Sequence, residues 1–453
     1  MNKQFDLIIK NGNVVLPTET RKMDIAIRDG VIVELNDTIH GDGDILDARG
    51  QYVMPGLIDV HVHLDEPGRT VWEGIDYGSK ALAAGGCTTF FDMPLNSAPP
   101  TINDEALQDK ADIAVSKSVI DFGLWGGLVP GNIDELETLS ERGVVGFKSF
   151  MLQAGTEDFE FVDDLTLYRG MQKLAKLNKI LALHAESGEI IQKLTAEKEA
   201  ESANSARDYA ETRPIISEME AVTRALLFAE ETGCPLHIVH VSNAKTVDLI
   251  QEAKDRGVNV TVETCPPYLL FNMEDFERLG AVAKCAPPLR EEEERLALWE
   301  ALKEGKIDMI SSDHAPCPTS MKTDYENDML KAWGGITGGQ FSLEAIIDQA
   351  HIERQIPLNK VSELISLNPA KRFGLYPKKG TLSVGADADI AVVNLNVDHH
   401  VKESDLYSRY SHSPYIGQHF RCSVTHTVSR GKVVYNRQEG IMDNPPGDWL
   451  KVN

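Results

Sequence analysis

The amino-acid sequence predicts an α/β protein, a (β/α)8 TIM-type barrel with a small β-sandwich domain formed by both chain ends, and three observations carry that prediction. Eight short apolar runs alternate with helical periodicity through the middle of the chain. Short strands broken by tight turns occupy both ends. Polar residues of metal-binding type stand at the C-terminal ends of several apolar runs, where such barrels collect their chemistry.

The eight runs are 57–63, 88–92, 120–124, 145–150, 180–184, 236–240, 258–264 and 308–313. Helical spacing fills the gaps, for example at 104–116, 165–177, 218–232 and 291–304. The last of these carries Leu296, Leu298, Trp299 and Leu302 behind an acidic first turn, which suits the positive end of a helix dipole. Strands alternating with helices build a parallel sheet, and this many of them close into a barrel; a doubly wound open sheet is the alternative. At the N-terminal end, Asn11-Gly12 and Asp29-Gly30 separate short alternating runs, a hairpin signal. The same texture returns at 388–393, 424–428 and 430–435. Neither end has enough strands for a stable sheet of its own. The two are therefore expected to meet in one domain, 1–53 plus 377–453, beside a barrel of 54–376.

Composition narrows the function. With 453 residues the chain has ample length for a large core and a smaller one. Its 45 basic and 70 acidic residues give a formal charge of −25, which disfavours nucleic acid and anionic membranes as partners. Six cysteines lie far apart with no Cys-x-x-Cys pair, the pattern of reduced, buried thiols in a cytoplasmic protein. The opening Met1-Asn2-Lys3-Gln4-Phe5-Asp6 lacks the apolar core of a signal peptide, and no run is long enough for a membrane span. A soluble enzyme with a small-molecule substrate is the expectation.

The strand ends supply candidates for its site. In Gly56-Leu57-Ile58-Asp59-Val60-His61-Val62-His63-Leu64 the two histidines are two residues apart, so on a strand they share a face and can grip one ion. Lys148 stands inside the apolar run 144–150, where an unpaired ammonium costs several kcal/mol and needs a partner or altered chemistry. The runs 180–184 and 236–240 end in His184 and His240; His237 is three residues from His240 and faces the other way, and the later residue is chosen. The last run ends in Asp313-His314, and Asp313 is chosen because hydrolysis needs a carboxylate. Nitrogen and oxygen ligands without thiolates suit zinc or another borderline divalent ion.

These segments resemble the amidohydrolase superfamily, in its branch of dihydroorotases, hydantoinases and allantoinases. The resemblance runs through Asp6-Leu7-Ile8-Ile9-Lys10-Asn11-Gly12, Pro55 to His63, Gly146-Phe147-Lys148, His184-Ala185-Glu186 and His240-Val241-Ser242. It continues through Pro287-Pro288-Leu289-Arg290, Ser312-Asp313-His314-Ala315-Pro316 and Gly385-Ala386-Asp387-Ala388-Asp389-Ile390. It implies a pair of divalent cations, zinc first among them, with His61, His63 and Asp313 on the more buried ion and His184 and His240 on the other. It also implies that carbon dioxide converts Lys148 to a bridging carbamate, that a shared hydroxide attacks the amide, and that Asp313 moves the proton to the leaving nitrogen. A homotetramer is implied as well.

Within the branch, Asp65 stands where similar dihydroorotases carry an arginine for a substrate carboxylate, which its charge would repel. Gln153 stands where hydantoinases carry a tyrosine. The matches to allantoinases are Glu66-Pro67-Gly68-Arg69, Trp72-Glu73-Gly74, Met93-Pro94-Leu95-Asn96, Gly126-Gly127-Leu128-Val129 and Lys331-Ala332-Trp333-Gly334-Gly335-Ile336. The activity implied is opening of allantoin to allantoate in purine breakdown, with Gln153 and the backbone of Ala286 touching substrate and Arg290 bracing the loop. A hydantoinase or dihydropyrimidinase is the alternative enzyme, and a non-catalytic scaffold relative the alternative of another class. His399, His400 and His412 are expected to be solvated.

Overall fold

Every one of the eight apolar runs forms a strand in the computed structural model, which describes residues 3–443 and 446–452. Met1 and Asn2 of the opening segment, and Asn453 at the end of the expected small domain, lie outside the described residues, as do Asn444 and Pro445. The strands are β1 (Leu57–Val62), β2 (Cys87–Asp92), β3 (Asp121–Leu124), β4 (Phe147–Phe150), β5 (Leu181–His184), β6 (Leu236–Ile238), β7 (Val260–Thr264) and β8 (Met309–Ile310). Neighbours in chain order pair in parallel from β1 to β3 and from β4 to β8. Two seams complete the ring. Val145 N–H donates to Leu124 O at 3.0 Å between β3 and β4, and His63 N–H donates to His314 O at 2.8 Å between β1 and the end of β8. The result is the (β/α)8 barrel, with every residue of β1, β2, β3 and β5 buried because helices cover one side and packed side chains fill the other.

The four helices expected from periodicity form at Asp104–Lys117, Asp164–Leu177, Ile215–Thr232 and Glu292–Lys303. Their ends follow local chemistry. The side chains of Asn103 and Asp163 accept from the N–H groups of Ala106 and Thr166, and Gly233, at φ 72°, ends the third helix in a left-handed turn. Two strands stop earlier than their apolar runs suggest. Beyond β6 and β8 the backbone turns left-handed at His240 (φ 40°) and Asp313 (φ 47°), so loop conformation as well as strand alternation aims these side chains.

Strands from both ends of the chain pair in one nine-stranded sheet. Tyr52–Pro55 is the meeting point: it runs parallel to Leu7–Val15 on one side and antiparallel to Ile390–Asn394 on the other. Ile9, Val14, Ile25, Val53, Ile390 and Val428 share its core. Residues 446–452 turn back to the barrel, where Phe122 donates to Asp448 O at 3.0 Å and Leu450 donates to Phe122 O at 2.7 Å. Gly447 is required for that approach, since a Cβ there would sit 1.8 Å from Ile120 O.

Three further expectations meet the structure here. All six cysteines are free and buried. Among the described residues no helix is long and apolar enough to cross a membrane. The histidines expected in solvent divide: His400 is exposed, but His399 is buried because its Nδ1 lies 2.7 Å from Glu344 Oε2, and His412 is half-buried with Nε2 2.8 Å from Cys317 O.

One buried ion cluster ties the end strands to the barrel. Lys379 Nζ reaches Asp121 at 2.7 Å, Asp389 at 2.5 Å and Asp387 at 3.1 Å, all four side chains being nearly inaccessible. Removing the ammonium leaves three buried carboxylates facing one another, and breaking a buried pair in this way costs about 3–5 kcal/mol. Lys379→Met is expected to lower the free energy of unfolding by that amount, seen as a lower urea midpoint with little change in slope by circular dichroism.

Candidate active site

A cavity of about 360 Å³ opens at the C-terminal ends of the strands. His61, His63, Lys148, His184, His240 and Asp313, drawn from β1, β4, β5 and the segments after β6 and β8, all line it. Gln153 and Ala286 line it too. His237 and His314, the rejected members of their pairs, do not. Asp65 is also absent from the lining and is 1 % exposed. Burial, then Asp92 and Glu73, push its carboxyl well above the usual range, so the expectation that its charge would repel a substrate carboxylate does not hold in the structure.

Two groups of ligand-type atoms face each other across the cavity floor. Asp313 Oδ1 lies 3.2 Å from His61 Nε2 and 3.4 Å from His63 Nε2. His184 Nδ1 lies 2.9 Å from His240 Nε2. The rings of His61 and His240, 5.5 Å apart, join the two groups. Lys148 is fully buried among them, and its Nζ has no hydrogen-bond partner. Burial lowers its ammonium to about 8, with Asp313 and Glu263 working against the fall. Asp313 responds in the opposite sense: burial alone would raise it, but His61, His63 and Lys148 hold it below the usual carboxylate value.

The sequence reading missed the carboxylates beneath this floor. Glu263, on β7, takes His61 Nδ1 at 2.5 Å and His237 Nε2 at 3.0 Å. Those rings outweigh the burial that would raise it and hold Glu263 well below the usual range. An ionised carboxylate only accepts, so His61 Nδ1 carries the hydrogen and Nε2 keeps its lone pair toward the cavity. Glu186 does the same for His184, accepting at Nε2 (2.7 Å) and leaving Nδ1 free. Burial opposes its ionisation, yet Arg213 and His184 hold it at about 2. Asp59 accepts from the N–H groups of Ser312 at 3.0 Å and His61 at 3.3 Å, and burial pushes it up to about 6. A signal for Glu263 existed: a charged residue near the end of a strand otherwise of β-branched residues, the same sign that singled out Lys148.

The donor set fits divalent cations. His61, His63 and Asp313 offer atoms all within 4.8 Å of one another, and Lys148 Nζ is buried without a hydrogen-bond partner. Carboxylates that fix the tautomer of ligating histidines are the usual support of such a centre.

The sequence profile of the amidohydrolase family matches residues 52–434. The chain belongs to that family. Amidohydrolases are metal-dependent enzymes, and this member has candidate metal-binding residues at its barrel mouth. It is 48% identical to the allantoinase of Deinococcus radiodurans over 448 residues, 99% of each chain. It is 46% identical to that of Rubrobacter xylanophilus, covering 99% of this chain and 98% of the other. Among solved structures, the L-hydantoinase (dihydropyrimidinase) of Arthrobacter aurescens superposes with a TM-score of 0.96 at 34% identity, covering 99% of this amidohydrolase and all of the other. A D-hydantoinase gives 0.91 at 31% identity with 99% of both covered.

Glu263→Gln keeps the shape of the side chain and removes the charge that sets the His61 tautomer. Metal affinity is expected to fall about 10–100-fold, read by competition with a chromophoric chelator, while the far-ultraviolet dichroism stays unchanged.

Proposed function

We propose that this chain is a hydrolase of cyclic amides that opens allantoin to allantoate. Lys148 carries the reading: a fully buried ammonium with no hydrogen-bond partner, set between four histidines and an aspartate, belongs to a site that changes its charge. At about 8 its amine is neutral in roughly a tenth of molecules at pH 7, the form that adds carbon dioxide. Carboxylated, it would present an anion to both ligand groups, with His61, His63 and Asp313 holding one ion and His184 and His240 the other. Zinc is the ion this donor set favours. A pair of such ions supplies Lewis acidity toward the amide carbonyl and lowers the pKa of a water toward neutrality.

The protein's own residues do the rest. Asp313, ionised at neutral pH, accepts the proton of the attacking water and returns it to the ring nitrogen as the amide bond breaks. The product is a carboxylate, and Arg213, whose guanidinium stays charged, lines the cavity wall beside it. Trp333 meets Trp72 edge-on at 4.7 Å, Arg69 stacks 5.6 Å over Trp72, and Arg69 pairs with Asp158 at 2.9 Å. Gln153 and the backbone of Ala286 remain the proposed contacts to the ureido arm and the ring.

The curated relatives named allantoinase, similar over nearly the whole chain, support allantoin as the substrate. The hydantoinase neighbours support cyclic imides as the wider class. A homotetramer is part of the same reading, supported by exposed Leu165, Ile216 and Leu227 on two neighbouring barrel helices. So is a cytoplasmic location, which the free cysteines support.

Rates on allantoin, hydantoin, dihydrouracil and dihydroorotate decide the substrate: allantoin is expected to be fastest, and faster turnover of dihydrouracil would move the assignment to dihydropyrimidinase. Lys148→Ala is expected to lose both ions and all turnover, with metal counted by mass spectrometry. Unchanged metal content in that variant would end the binuclear reading. Light scattering is expected to give about four times the 50.0 kDa chain mass.

A further inference from the structure

His184 and His240 stand at the ends of adjacent parallel strands, and each is followed two residues later by a buried polar side chain, Glu186 and Ser242. Glu186 Oε2 supports His184 Nε2 at 2.7 Å and accepts from Arg213 Nη1 at 2.6 Å. On the other strand, Glu218 holds Ser242 twice: it accepts from the N–H at 3.0 Å and from the hydroxyl at 2.6 Å. Asn243 adds a third donor to it at 3.0 Å.

Arg290 joins the two halves. Its Nε donates to Ser242 Oγ at 2.9 Å, its Nη2 to Glu218 Oε2 at 3.3 Å, and its Nη1 to the carbonyl of Arg213 at 2.5 Å. Two carboxylates and two guanidiniums balance in charge, and Arg290 itself is 9 % exposed. The rigid planar fork of the guanidinium lets one side chain reach three acceptors in fixed directions. The left-handed backbone of His240 gives this support a task, because strained conformations persist only where surroundings hold them. His61 is supported by Glu263, which also meets this half: its carboxylate accepts from the His240 N–H at 3.4 Å and its carbonyl from the Val241 N–H at 2.8 Å.

We propose that Arg290 is a positioning residue for one of the two metal positions, tying the supports of His184 and His240 into a single body so that their facing nitrogens stay aligned on one ion. The proposal rests on the binuclear reading above. It differs from a simple loop brace, because a brace would act on substrate through Ala286, four residues earlier, and leave metal content alone.

The test titrates zinc, with bicarbonate present, into chelator-stripped full-length protein and counts bound ions by mass spectrometry. Wild-type protein is expected to take two per chain. Arg290→Met is expected to keep one and to weaken the other at least about tenfold. Arg290→Lys, which keeps the charge but not the fork, is expected to do the same. Ser242→Ala removes one acceptor, and a smaller weakening of the same ion is expected; it decides the matter if the arginine variants do not fold. Two tightly held zinc ions in these variants, with only KM for allantoin raised, would overturn the proposal. Fewer than two ions in the wild type would instead remove the binuclear reading.

Discussion

A buried charge with no hydrogen-bond partner of its own is the constraint around which this molecule is arranged. Placing Lys148 inside the barrel moves its ammonium from 10.5 to about 8, which corresponds to about 3 kcal/mol against the charged form. A chain selected for stability alone would put an apolar residue there. Instead the neighbouring strands direct four imidazoles and a carboxylate toward the same space, and Glu263 and Glu186 fix which nitrogen of His61 and of His184 is free. The donor atoms are thereby prepared before any ligand arrives, which is how a rigid barrel lowers the reorganisation that chemistry would otherwise require.

That arrangement needs walls that do not give. Lys322 donates to the carbonyls of Ala281, Trp333 and Gly335 at 2.8, 2.7 and 2.8 Å, and Lys284 reaches those of Leu330 and Ala332. The loop that carries Trp333 is thus fastened by lysine side chains rather than by regular secondary structure. A loop so fixed can line a binding cavity as reproducibly as a strand while leaving its backbone irregular.

How far the sequence reveals this can be seen residue by residue. The barrel was legible because burial on both faces of a parallel strand leaves an apolar run, and helices between such runs carry their own period and caps. His61 and His63 were legible because spacing on a strand is geometry. For His240 and Asp313 the strand rule covers only part of what happens: both residues leave the strand through a left-handed backbone that no spacing announces. Glu263, Arg213 and His399 show the other gap. Their roles arise from partners far away in sequence, 202 residues for Glu263 and His61, and a local pattern has no record of such pairs. His399 looked like a surface residue for the same reason, since Glu344, which buries it, lies 55 residues away.

The return of residues 446–452 to Phe122 bears on how the barrel comes into being. The stave formed by β3 gains its outer hydrogen bonds from Asp448 and Leu450, and the β layer beside it joins residues near 14 to residues near 390. A growing polypeptide that stops short of residue 390 therefore lacks both fastenings, and one that stops short of residue 448 still lacks the first. Because such distant pairings are slow to form, assembly of the catalytic mouth waits on almost the whole length of the chain, and the nascent protein spends its synthesis with adhesive β edges exposed.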